Sequence, residues 1–137
     1  MKTIIEELKD EHSVLVETLQ AVKRFGISTP KGKEYLINAK NTLLGHLRKE
    51  DDKLYPILRN QAKEDEALND LLNVFARDME TVSVLALSFF NKYEHSETNM
   101  EFAKDFGILY AALGNRIRKE ESILYEAYNK IMAIQIK

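Results

Sequence analysis

Apolar residues recur along this chain at helical spacing in four runs, with polar or proline-bearing breaks between them. In the first run Ile5, Leu8, Val14, Leu15, Leu19 and Val22 keep the period. They predict a helix from about Thr3 to about Arg24, closed by Gly26 as the residue after the C-cap. Thr29 and Pro30 form a start signal, an N-cap followed by proline at the first helical position. The second helix then runs from about Pro30 to about Asn60, with Gly32 weakening its first turn and Pro56 expected to bend or fray its last turns. The third runs from about Glu64 to about Tyr93. A polar turn over 94–97 follows, and Thr98 with Glu101 reads as a capping box opening a fourth helix that reaches about Ala133. Gly107 and Gly114 fall inside the fourth helix, a cost that close packing against a neighbour would explain. Short links between long helices make antiparallel neighbours, so the expected fold is all-α: a single-domain, up-and-down antiparallel four-helix bundle over residues 1–137.

Composition narrows the function classes. A chain of 137 residues fits one domain with a core of its own. With 45% hydrophobic and 31% charged residues it has the balance of a globular protein. The net charge is −2 with the signs interspersed, and no basic stripe points to nucleic acid. The chain has no cysteine, which removes disulfides, thiolate metal sites, Cys-ligated iron–sulfur clusters and Cys nucleophiles. The opening MKTIIEELKDEH carries charges where a signal peptide needs an apolar run, and no window is apolar for long enough to span a membrane. The expected compartment is therefore the cytoplasm, with no membrane partner. The apolar segment Ile131 to Ile136 predicts docking on the bundle or on a second copy, which leaves monomer and homodimer both open.

The two halves of the chain resemble each other. His46-Leu47-Arg48-Lys49-Glu50 through Tyr55 sets beside Arg116-Ile117-Arg118-Lys119-Glu120 through Tyr125, with Arg, Lys, Glu, Leu and Tyr recurring in register. Lys9 to Val14 sets beside Arg77 to Val82 at nearly the same offset. The pattern reads as an internal two-helix repeat, and it predicts that position 12 pairs with 80, 46 with 116 and 50 with 120.

His46 and Glu50 are four residues apart and share one helix face, flanked by Leu43, Leu47, Leu54 and Ile57. An inward histidine and an inward carboxylate are costly unless each is paired or bound to a metal. His12 lies beside Leu8, Leu15 and Val16. Glu120 takes the place of Glu50 in the repeat, and Glu80 takes that of His12. Imidazoles and carboxylates brought inward from facing helices are how a bundle makes a carboxylate-bridged iron or manganese site.

These segments, EHSVLVETL with His12, HLRKEDDKLYPIL with His46 and Glu50, and RIRKEESILY with Glu120, resemble the hemerythrin-like (HHE cation-binding) family. The resemblance covers nearly the whole chain. It implies a non-haem, usually di-iron, centre in the bundle core, with activities that include reversible O2 binding, oxygen or nitric-oxide sensing, iron handling and repair of iron centres. By the resemblance, His12 and His46 are ligands of one metal, and Glu50 and Glu120 are carboxylates between two. Iron is the expected metal, one or two ions, with manganese and zinc as alternatives.

The departures lie on the other half of the site. Glu80 stands where the family expects a histidine on the third helix, and Arg116 stands where it expects one on the fourth. Arginine has no lone pair to offer and stays protonated, so Arg116 is no ligand. Two arrangements follow. Either Arg116 pairs with Glu80, fills the second position and leaves one metal on His12, His46, Glu50 and Glu120, or Glu80 is itself a ligand and two metals bind. A guanidinium beside a second dication costs several kcal/mol even at an effective dielectric near ~20, which favours the first. Tyr55 and Tyr125 each follow a site glutamate by five residues and can reach the site with a hydroxyl. Three functions remain open: a sensor or iron-handling protein that takes a small diatomic or peroxide ligand, an O2- or peroxide-activating oxidoreductase on the same site, and a metal-free bundle that works as a binding module.

Overall fold

The structure, a computed structural model, describes residues 2–95 and 100–136. Its helices are α1 (Ile4–Phe25), α2 (Pro30–Lys49), α3 (Tyr55–Ala62), α4 (Glu66–Glu94), α5 (Phe102–Lys119) and α6 (Tyr125–Ile136). A π-helical turn, Glu50–Leu54, joins α2 to α3 without a break, and a second, Glu120–Leu124, joins α5 to α6. The chain thus forms four rods: α1, α2–α3, α4 and α5–α6. It is the expected all-α bundle, with no strand among the described residues. α1 lies along α2, α2 against α4, α4 against α5, and α5 back against α1.

The helix boundaries follow local chemistry. Thr3 caps α1 by accepting from the Glu6 N–H. Gly26 ends it at φ 74°, a left-handed value that glycine adopts without penalty. Thr29 caps α2 through the Gly32 N–H at 3.0 Å. A Cβ on Gly32 would sit 1.6 Å from the Gly26 carbonyl oxygen, so the tight α1–α2 link accounts for that glycine. Asp65 caps α4 through the Leu68 N–H. α5 begins at Phe102, and Thr98 of the expected capping box lies outside the described residues. The close packing expected at Gly107 is not found, since a Cβ there would meet nothing within 4 Å.

Pro56 does not fray its helix. It sits in the first turn of α3, directly after the π-turn, where a missing N–H costs little. In each π-turn the bond closes over five residues, from the Tyr55 N–H to the Glu50 carbonyl and from the Tyr125 N–H to the Glu120 carbonyl. Glu126 stands at the fourth-rod position that matches Pro56, so the turn does not depend on proline. Its cause is the spacing of the buried residues. His46, Glu50, Leu54 and Leu58 recur every fourth residue, as do Arg116, Glu120, Leu124 and Tyr128, and all are buried. In an α-helix each step of four overshoots a full turn by about 40°, and the wider π-turn absorbs the drift.

The repeat is visible in the burial pattern. Leu36, Ala39, Leu43, Leu54 and Leu58 match Phe106, Leu109, Leu113, Leu124 and Tyr128 at one offset. In the first and third rods, Leu8, Leu15, Leu19 and Val22 match Phe75, Val82, Ala86 and Phe89. Two apolar cores result. One holds Leu15, Leu19, Leu36, Leu43, Val82, Phe89, Phe90, Tyr93 and Phe106. The other holds Ile5, Leu8, Leu54, Leu58, Leu72, Phe75, Leu124, Tyr125 and Ile131. Ile131 thereby docks the start of the apolar terminal segment, whereas Ile134 is exposed. Between the cores lies a charged layer.

Candidate metal centre

That layer is made of His12, His46, Glu50, Arg116 and Glu120, the buried charged or polar side chains among the described residues, each no more than 4% exposed. They come from α1, from the α2–α3 rod at its π-turn, and from the α5–α6 rod at its π-turn. His12 Nε2 and His46 Nε2 stand 3.0 Å apart, and Glu120 Oε1 is 2.8 Å from His12 Nε2 and 3.5 Å from His46 Nε2. One donor atom from each of these three residues lies within 4.8 Å of the other two. Glu50 Oε2 lies 3.5 Å from His46 Nε2 at the edge of the cluster.

Each imidazole is held from behind. His12 Nδ1 is 2.8 Å from Glu121 Oε2, and His46 Nδ1 is 2.9 Å from Glu11 Oε1, with Lys49 paired to the other oxygen of Glu11. A carboxylate at Nδ1 accepts a hydrogen bond from Nδ1–H, which leaves the lone pair on Nε2, facing inward. Two lone pairs and an ionised carboxylate oxygen then face one point, an arrangement that needs a proton or a cation at its middle. Imidazole nitrogens at ~2.1 Å from a shared ion stand about 3.0 Å apart when they meet it at right angles, and the donor set fits a cation on that measure.

The electrostatics say the same of the metal-free protein. Burial opposes protonation of His46, but its contacts with Glu120 and Glu50 outweigh burial and carry its pKa up to about 10. Burial likewise opposes ionisation of Glu120, yet His12, His46 and Arg116 hold that carboxyl below its ordinary value. Burial, reinforced by the charge of Glu120, pushes Glu50 upward. The Tyr125 hydroxyl lies 2.8 Å from Glu50 Oε2, to which it donates, and 3.1 Å from Glu120 Oε1. Burial and those two carboxylates push its own pKa up, so it remains a donor.

Arg116 occupies the far half of the layer. Its Nε donates to Glu120 Oε2 at 2.8 Å, its Nη1 to the Phe75 carbonyl at 3.0 Å and to Asp78 at 3.2 Å, and its Nη2 to the Tyr55 hydroxyl at 3.1 Å. The guanidinium also lies over the Phe75 ring, 4.7 Å from its centroid. Glu120 therefore serves the two imidazoles with one oxygen and the guanidinium with the other.

The structure brings together His12, His46, Glu50 and Glu120, with Tyr125 among them and Tyr55 on Arg116. Glu80 is not brought in. It is exposed and lines a surface cavity of about 400 Å³ with Asp51, Tyr55 and Arg59. Asp78, not Glu80, answers Arg116 from the third rod. The residue that matches His12 is Met79, which lines the same small cavity as His12, His46, Arg116 and Glu120. One residue of slip turns a helical side chain by about 100°, enough to move it from the site to the solvent. Apolar spacing and the repeat do not single out Glu11, Glu121 or Asp78, although Glu11 and Glu121 adjoin His12 and Glu120 directly.

The hemerythrin HHE cation binding domain matches residues 3–128. The chain belongs to this family. No curated protein and no solved structure matches it. The cation-binding character of hemerythrin HHE domains and the buried His–Glu cluster agree, and in this hemerythrin-like chain the cluster is compatible with a metal ion. No helix among the described residues is long and apolar enough to cross a membrane.

Proposed function

We propose that this hemerythrin-like domain binds iron through His12, His46, Glu120 and Glu50, and that it works in the cytoplasm as a sensor of, or iron-handling protein responsive to, a small ligand such as O2, nitric oxide or peroxide. The observation that carries the reading is the convergence of two imidazole nitrogens and a carboxylate oxygen on one buried point, with both imidazoles anchored at Nδ1. A bound iron ion supplies Lewis acidity and a redox couple there. The chain supplies the rest. Glu11 and Glu121 fix the tautomer and aim of the imidazoles, Arg116 holds the second oxygen of Glu120, and the Tyr125 hydroxyl presents a proton between Glu50 and Glu120. The apolar cores on either side keep bulk water from the layer.

A second reading has its own support. Among the described residues no buried side-chain polar atom is left without a hydrogen-bond partner, so the charged layer closes without any ion. A metal-free bundle acting as a binding module is the function that follows. Elemental analysis of the protein purified after growth with iron separates the two. Iron bound in stoichiometric amount in the native chain and lost in His46→Ala supports the first reading. Trace metal in a folded native chain overturns it in favour of the second.

A further inference from the structure

The internal repeat relates the two halves of the charged layer. His46 and Arg116 are equivalent positions, as are Glu50 and Glu120, and His12 corresponds to Met79. One half offers two imidazole nitrogens. The other offers, at the same positions, a thioether and a guanidinium. The guanidinium has no lone pair and the thioether is a weak, soft ligand.

We infer that this centre is built for a single metal ion, with Arg116 as a permanent cation in the place where the repeat would put a second. The inference rests on the metal-binding reading above and says how many ions that site takes. Three observations carry it. First, Arg116 is committed: four hydrogen bonds, to Glu120, the Phe75 carbonyl, Asp78 and Tyr55, together with the Phe75 ring, leave it no alternative position without losing partners in a buried layer. Second, the charges close. One divalent ion and the guanidinium balance Glu50, Glu120 and Asp78, and the nearby Glu121 and Glu11 carboxylates are turned to the outer nitrogens of His12 and His46, not to the half of the layer that holds Arg116. Third, the cavity that His12, His46, Met79, Arg116 and Glu120 help to line is about 10 Å³, the room of one water-sized body at most. Glu120, which serves both halves, thus joins an ion to a fixed side-chain charge and not two ions to each other.

The test is iron counting with a spectroscopic control. The native chain is loaded anaerobically with excess ferrous iron, desalted, and measured for iron per folded chain; the oxidised sample is then examined by electron paramagnetic resonance. One iron per chain with the signal of an isolated high-spin ferric ion is the expected result. In the doubly substituted Arg116→His, Met79→His chain the count should rise twofold and the isolated-ion signal should give way to that of a coupled pair. Two irons per native chain, or a coupled pair in it, overturn the inference and leave the metal-binding reading standing. A folded double variant that still holds one iron overturns the role given to Arg116 and Met79. No iron in the native chain defeats the metal-binding reading itself, and this one with it. Should the double variant fail to fold, Met79→His alone keeps the guanidinium network and must still bind one ion; two would overturn the inference.

Discussion

His46 and Glu11 are joined across two helices by a 2.9 Å contact at Nδ1, and Glu11 is itself tied to Lys49. Hydrogen bonding to His46 and Lys49 overcomes partial burial to hold the Glu11 carboxyl below its ordinary pKa, so it stays ionised behind the imidazole. Glu121 repeats the arrangement behind His12 at 2.8 Å. Outer carboxylates of this kind orient a ligand and raise its basicity. Glu11→Ala and Glu121→Ala should each weaken metal affinity about 10–100-fold while leaving the helical content unchanged. Competition with a chelator of known affinity measures this, and unchanged affinity in both variants would remove the role assigned to the two glutamates.

Arg116→Ala should be among the most destabilising substitutions in the metal-free protein. It strips the guanidinium from Glu120 inside a layer that is nearly closed to solvent, and from Asp78 at the partly exposed edge of that layer. Removing one partner of a buried ion pair costs about 3–5 kcal/mol. Lys92→Ala breaks only surface pairs with Glu101 and Asp105, which solvent screens, and should cost far less. Urea titrations at neutral pH compare them; similar midpoints for the two variants would contradict the buried-pair account.

Tyr125→Phe removes a donor from two buried carboxylates and adds no cavity of consequence. A hydrogen bond to a charged group contributes about 1.5–3 kcal/mol, and the metal-free variant should lose stability on that scale. Its iron content should match that of the native chain, because the hydroxyl is a donor to the ligands and not one itself. Loss of iron from a folded Tyr125→Phe chain would show that the phenol does more than orient Glu50 and Glu120.

At the far end of the bundle, Asp105 accepts from the Tyr93 hydroxyl at 2.5 Å and from Lys92 at 3.0 Å, which together lower its carboxyl pKa. A depressed carboxyl pKa stabilises the fold above the unfolded-state value, near 3.8 here, and the contribution is lost as pH falls through the folded value. Asp105→Asn should therefore be less stable than the native chain at neutral pH, and the gap should shrink as the pH falls below about 4. Thermal melts across that range supply the comparison, and a gap independent of pH would count against the ionised pairing.

The four helices were legible because apolar spacing and capping residues such as Thr29 and Asp65 act locally. The π-turns are not legible locally because they answer a long-range demand. The fourfold spacing of His46, Glu50, Leu54 and Leu58 was present in the sequence, but only burial of every member forces the backbone to widen. The slip at Glu80 has a similar origin. Residue identity aligns Val14 with Val82, yet Val14 is exposed and Val82 buried, and Leu15 is the residue that shares the place of Val82. Residue identity paired the wrong valines, whereas the inward face of the helix determines which positions correspond. The chemistry of Arg116 alone makes it a non-ligand, while its partner Asp78 follows only from the true rotation of α4.

The charged layer also decides how the rods line up lengthwise. Sliding the first, second or fourth rod by a turn would carry His12, Glu50, Arg116 or Glu120 into hydrocarbon and strand its former partners, on whichever side it moved. Leucine-lined rods on their own tolerate such shifts, since one leucine fills the place of the next with little loss. A belt of ions at mid-height leaves a single vertical alignment with every group matched, so the feature that prepares the chain for a metal also removes the near-miss bundles it could otherwise have formed.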